Sequence, residues 1–118
     1  MTPGRHNLPP IRRGDTVQAL ELARVFDADG APVHITSARL QLRNKDDSVL
    51  YEWSTTADNL TLSGTPVAHI ITLGALDKPT TEGFTPDEYR YDLEITRDDG
   101  EVWTILTGNC VIDADITR

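Results

Sequence analysis

Cysteine occurs once in these 118 residues, and aromatic side chains make up only 6% of them. A lone Cys110 rules out an internal disulfide. It lies in an alternating run, in phase with Ile112, which points to a buried, inert thiol rather than a nucleophile. No apolar stretch approaches the roughly 20 residues that a membrane-spanning helix needs. The first residues carry no apolar core of a secretory signal, so synthesis and use in a cytoplasm are expected. No glycines cluster ahead of a helix, which excludes a phosphate-cradling loop. His6, His34 and His69 have no metal-ligand spacing among themselves or with Cys110. One Cys and scattered histidines do not make a nucleophile, a base and an orienting group. The expectation is therefore no catalytic residue, no metal site and no cofactor.

Positive charge is also scarce, and it is unevenly placed. Lys and Arg number 11 against 19 Asp and Glu, a net charge of −8. Residues 1–14 carry Arg5, Arg12 and Arg13 and no acid, so every acid falls in the remainder. An acidic body repels phosphate, which argues against nucleic acid as a partner. A basic leader on an acidic body fits a segment lying on an acidic surface of a neighbouring subunit.

What the chain does have is period-two alternation. Tyr89, Tyr91, Leu93 and Ile95 share one face, with Arg90, Asp92, Glu94 and Thr96 on the other. Asp98-Asp99-Gly100 is a hairpin signal, followed by a run through Trp103 and Ile105. A third run follows Gly108, with Cys110, Ile112, Ala114 and Ile116 in phase. Upstream, a first strand is expected over Val17–Phe26, with a turn at Asp27-Ala28-Asp29-Gly30. Ser37–Arg43 alternates with Ala38, Leu40 and Leu42 inward and Arg39, Gln41 and Arg43 outward. Lys45-Asp46-Asp47 is the next turn, and Val49, Tyr51 and Trp53 alternate after it. Leu60-Thr61-Leu62 is a short strand, and Val67–Leu73 is apolar enough for a central one. Gly74–Pro86 is a loop, with room for one helical turn at Ala75-Leu76 or Pro86-Asp87-Glu88. No long segment has a 3.6-residue period. The pattern predicts an all-β, antiparallel sandwich of about seven or eight strands over residues 14–118. Ahead of it, Pro3, Gly4, Pro9 and Pro10 make residues 1–13 an extended arm.

Other candidate constellations have plain explanations. Asp27/Asp29, Asp46/Asp47 and Asp98/Asp99 all fall at turns, where Asp caps the backbone. Asp27-x-Asp29-Gly30 resembles the start of a calcium loop but lacks the later ligands. Trp53 and Trp103 lie in alternating strands and are expected to pack between the sheets. Asn59-Leu60-Thr61 spells a glycosylation sequon that is expected to be incidental.

Arg13-Gly14-Asp15-Thr16, then Asp29-Gly30-Ala31-Pro32-Val33 with Ile35-Thr36, resembles the opening of tailed-bacteriophage structural domains. Tyr89-x-Tyr91-Asp92-Leu93, then Gly100, Leu106, Gly108 and Asp115-Ile116-Thr117-Arg118, extends the likeness over about residues 11–118. The whole resembles the immunoglobulin-like N-terminal domain of phage baseplate upper proteins. That resemblance implies an immunoglobulin-like sandwich and a non-enzymatic virion protein, assembled in the bacterial host cytoplasm. With no fibre shaft after Arg118 in this sequence, an adaptor, neck or tail component, or a capsid decoration, is expected. Its partners would be other virion proteins and copies of itself in a symmetric assembly, with no nucleic acid and no membrane. The expected partner-binding residues are Arg5, Pro9, Pro10, Arg12 and Arg13. The alternative is a carbohydrate- or receptor-binding sandwich using Trp53, Tyr51 or Phe84.

Overall fold

Residues 3–25, 32–65 and 68–114 are described in the computed structural model. They form an all-β, immunoglobulin-like sandwich of two sheets. The strands are β1 (Gly4–Arg5), β2 (Ile11–Arg12), β3 (Leu20–Val25), β4 (Ile35–Arg43) and β5 (Val49–Ser54). They continue with β6 (Leu60–Thr65), β7 (Ala68–Leu73), the short helix α1 (Lys78–Glu82), β8 (Asp87–Arg97) and β9 (Val102–Asp113). The larger sheet has the order β1-β9-β8-β4-β5, with β2 also on β9, and the smaller has the order β3-β7-β6. The turn expected at Asp27–Gly30, its calcium-like spacing, Phe26, Val67 and the closing residues 115–118 lie outside the described residues.

The consecutive pairs β4–β5, β6–β7 and β8–β9 are hairpin neighbours, while β4–β8 and β3–β7 join strands distant in sequence, and this division between two sheets is that of an immunoglobulin-like sandwich. A local feature agrees with it. Tyr89, at the start of β8, donates its hydroxyl to the Thr85 carbonyl at 2.6 Å. A tyrosine there, bonded a few residues upstream, is the tyrosine corner of this architecture. Two residues on, antibody domains place the second cysteine of their inter-sheet disulfide. Here that position is Tyr91, which donates its hydroxyl to the carbonyl of His6.

The core follows from alternation. Ala38, Leu40 and Leu42 of β4 and Tyr89, Tyr91, Leu93 and Ile95 of β8 are buried. They meet Leu60, Ile71 and Leu73 of the smaller sheet, with Trp53 beside them. Burying one such aliphatic side chain contributes roughly 1.5–3 kcal/mol. The Trp53 indole donates to the Gly74 carbonyl at 3.1 Å, so its one polar atom is satisfied.

Three expectations need correction. The runs on either side of Gly108 are one strand, β9. A bulge at Ile105 changes its phase: Leu93 faces Leu106, but Glu94 faces Thr104. Trp103 therefore points inward before the bulge, and Leu106, Gly108, Cys110 and Ile112 do so after it, because one inserted residue flips the alternation. The helical turn is at neither expected place. Leu76 bridges Val17, and Asp87-Glu88 already belong to β8. The helix starts instead behind Asp77, whose carboxylate accepts from the Thr80 amide at 3.0 Å, with Pro79 in the first turn. The first strand opens at Leu20, three residues later than expected.

The N-terminal segment is extended, as its prolines require, but it lies along this chain's own β9. β1 and β2 both pair with β9 in parallel. Between them the amides of His6 and Leu8 donate to the carbonyls of Thr107 and Asn109 at 2.8 and 2.9 Å. Leu8 and Ile11 are buried in the core. The close approach has a specific cause: a Cβ on Gly108 would lie 1.8 Å from the His6 carbonyl oxygen. A segment with no core of its own thus pairs along β9 and places Leu8 and Ile11 in the core.

Candidate functional site

Of the groups able to do chemistry, several are buried or bonded within the fold. Cys110 is fully buried, and burial pushes its thiol up to about 11. Burial, with Cys110 as a lesser cause, pushes the Tyr91 phenol up to about 12. Among the described residues no three His, Cys, Asp or Glu side chains converge as a metal site would require. His69 is buried, with neither ring nitrogen bonded among the described residues. Of the turn aspartates, Asp99 acts on backbone, accepting from the Glu101 amide at 3.0 Å, whereas at the Lys45-Asp46-Asp47 turn it is the Asn44 side chain that accepts, from the Asp46 and Ser48 amides at 2.9 and 3.0 Å. Asn59 is committed as well, accepting from the Ser54 amide and donating to the Glu52 carbonyl at 2.7 and 2.9 Å. Trp53 and Phe84 are only 2% and 5% exposed, and half-buried Tyr51 packs edge-on against both. Trp53 and Phe84 therefore offer no bare ring face of the kind on which a sugar stacks, while Tyr51 borders an open cleft with Thr16, Gln18 and Thr80.

What remains is the outer face of the larger sheet. Register decides which side chains meet there. Arg39 faces Glu94 and bonds its carboxylate, and Gln41 faces Asp92 and donates to Glu52 at 2.8 Å. One step along, Arg43 faces Arg90 directly. Like charges directly opposite on a sheet are unfavourable. Asp47 relieves the pair in part: its carboxylate lies 3.4 Å from Arg43 and 4.0 Å from Arg90. To stand there Asp47 adopts a φ of 65°, in the left-handed region that Asp tolerates better than most residues. A third guanidinium arrives from the N-terminal segment, since Arg5 pairs in register with Thr107, itself opposite Asp92. Arg5, Arg43 and Arg90 thereby line one concavity of about 240 Å³, with Asp47, Asp92 and β9 residues 107–109 as its other walls. Arg5 forms no ion pair among the described residues.

The five residues expected to bind a partner are thus spread out. Arg5 joins the concavity. Arg12 is exposed beside Asp113 at the far end of β9. Arg13 donates from Nε to the Glu82 carbonyl at 2.8 Å, holding the segment to the end of α1. Pro9 and Pro10 are exposed and border a small apolar cleft of about 100 Å³ with Leu20, Trp53 and Leu73. Sequence reasoning missed Arg43 and Arg90 as a pair. Both stand out as outward positions in alternating runs, but only the β4–β8 register brings them together.

No protein-family model matches the chain, and no curated protein matches it. Among solved structures it is similar to the crystal structure of CopC from Methylosinus trichosporium OB3b. Identity is 11%, the match covers 92% of this chain and 88% of that one, and the TM-score is 0.44. A likeness of that extent carries no functional inference.

Proposed function

We propose that this chain is a non-enzymatic structural protein of a bacteriophage virion, a tail, neck, baseplate, fibre-adaptor or capsid-decoration component that acts by protein–protein assembly. Its partners are copies of itself and other virion proteins, met in the host cytoplasm. The phage assignment rests on the resemblance carried by the Arg13–Thr16 and Tyr89–Leu93 segments. The observation that supports assembly is the contrast between inert chemistry and an organised surface. Cys110 and Tyr91 are buried in protonated form, while three arginines of an acidic chain gather in one concavity on an open sheet face. Contacts of this kind suit symmetric particles, where one modest interaction is repeated many times. The test is mass spectrometry and immunogold labelling of purified particles from cells producing the chain. The expected result is a fixed copy number per particle. Its absence from purified particles would remove the reading.

A further inference from the structure

We infer that the Arg5–Arg43–Arg90 concavity receives the Asp98-Asp99-Gly100 hairpin of a second copy of this chain, in a head-to-tail contact. The inference rests on the assembly reading and names the contact. The concavity is an unfinished electrostatic site. Arg43 and Arg90 face each other across β4 and β8, Arg5 adds a third positive charge, and Asp47 is the carboxylate that reaches both members of the opposed pair. A carboxylate ligand would relieve that repulsion through charge-assisted hydrogen bonds to the guanidinium forks.

This chain carries a fitting carboxylate. The β8–β9 turn, Asp98-Asp99-Gly100-Glu101, is exposed throughout. Its tip is narrow and firmly shaped. Gly100 at a φ of 88° closes it, the Gly100 amide donates to Arg97 at 3.0 Å, and the Arg97 amide donates to Glu101 at 2.8 Å. The Arg97 guanidinium lies over the Trp103 ring, 4.5 Å from its centroid, and 3.8 Å from the Glu101 carboxylate, and among the described residues Asp98 forms no ion pair. The tip and the concavity lie on one hairpin at separate levels. Eight residue steps part Arg90 from Asp98, about 27 Å of extended chain. Tip and concavity are therefore different patches, and each copy can offer one contact and receive another. Such a heterologous contact generates a ring or a filament according to its rotation. Nucleic acid fits less well, since the walls of the concavity include Asp47 and Asp92 and the chain carries −8.

The experiment uses the full chain in sedimentation velocity at low and high salt, with circular dichroism confirming the fold of each variant. The concavity variant is Arg43→Glu/Arg90→Glu. The tip variant is Asp98→Arg/Asp99→Asn, in which Asn keeps the acceptor for Glu101. The wild type is expected to self-associate at low salt and to dissociate as salt screens the contact. Each variant alone is expected to lose association at least tenfold, and an equimolar mixture to regain it, because the native tip of one variant meets the native concavity of the other and reversed tip meets reversed concavity. Variants that associate as the wild type does, or a mixture that stays monomeric, overturn the contact. A wild type that is monomeric at all salts also overturns it. If concavity variants then fail to enter particles, the occupant is an acidic surface of another protein, and the assembly reading stands. Absence of the wild type from purified particles removes the assembly reading itself.

Discussion

The two faces of the larger sheet share every backbone hydrogen bond and differ in almost everything else. Inward, Leu40, Leu42, Leu93 and Ile95 are completely buried, and their fit is set by volume. Outward, the same strands carry Arg39, Gln41, Arg43, Arg90, Asp92 and Glu94, whose arrangement is set by which charge stands opposite which. The inner face determines that the domain folds. The outer face is nearly free to vary without loss of stability, so an unfavourable opposition such as Arg43 and Arg90 can be retained there for use.

The comparison can be broken first from inside. Leu93→Ala should lose about 2–5 kcal/mol in chemical denaturation, the usual range for a buried leucine. A loss under about 1 kcal/mol would mean that this core is looser than its burial indicates. Alkaline pH comes next. The Cys110 and Tyr91 groups, ordinarily near 9.0 and 10.0, are both raised in the folded chain. Below their ordinary values both states hold the proton, and stability does not depend on these groups. Above them the unfolded chain releases protons that the folded chain keeps. Stability is therefore expected to fall from about pH 9 to pH 12, by roughly 2–3 kcal/mol for each group. Cys110→Ala and Tyr91→Phe should each flatten part of that slope in melts across the pH range.

Gly108→Ala tests the seam between the inner face and the N-terminal segment. The new methyl would collide with the His6 carbonyl, so a loss of about 1–3 kcal/mol is expected. Faster hydrogen exchange at the amides of His6 and Leu8, with the β4–β8 ladder still protected, would locate the damage. Smallest is the outer face. Arg39→Ala removes the ion pair to Glu94 and should change stability by about 0.2–1 kcal/mol, since exposed pairs contribute little. A larger loss would show that the outer face also supports the fold.

The same division explains what could be read in advance. Tyr89 to Ile95 and Ala38 to Leu42 declare their burial by alternation, because the apolar side chains themselves carry the signal. The outer face declares nothing of this kind, since Arg43 and Arg90 meet only through a pairing register between strands 47 residues apart in sequence. Gly108 was legible as an interruption and not as a point of close passage, because the cause sits on His6. The N-terminal segment was legible as extended from its prolines. Its place on β9 depended on Leu8 and Ile11, two isolated apolar residues with no period to mark them.

Tyr91 reaching the carbonyl of His6 closes a loop of 85 residues, and the Asn109 amide reaching Asn7 closes one of 102. On a translating ribosome the opening stretch therefore leaves the exit tunnel long before its strand partner is made. Contacts so distant in sequence slow folding and keep this edge of the sandwich open until β8 and β9 are made. Until β9 is made, Leu8 and Ile11 lack the strand along which their segment packs.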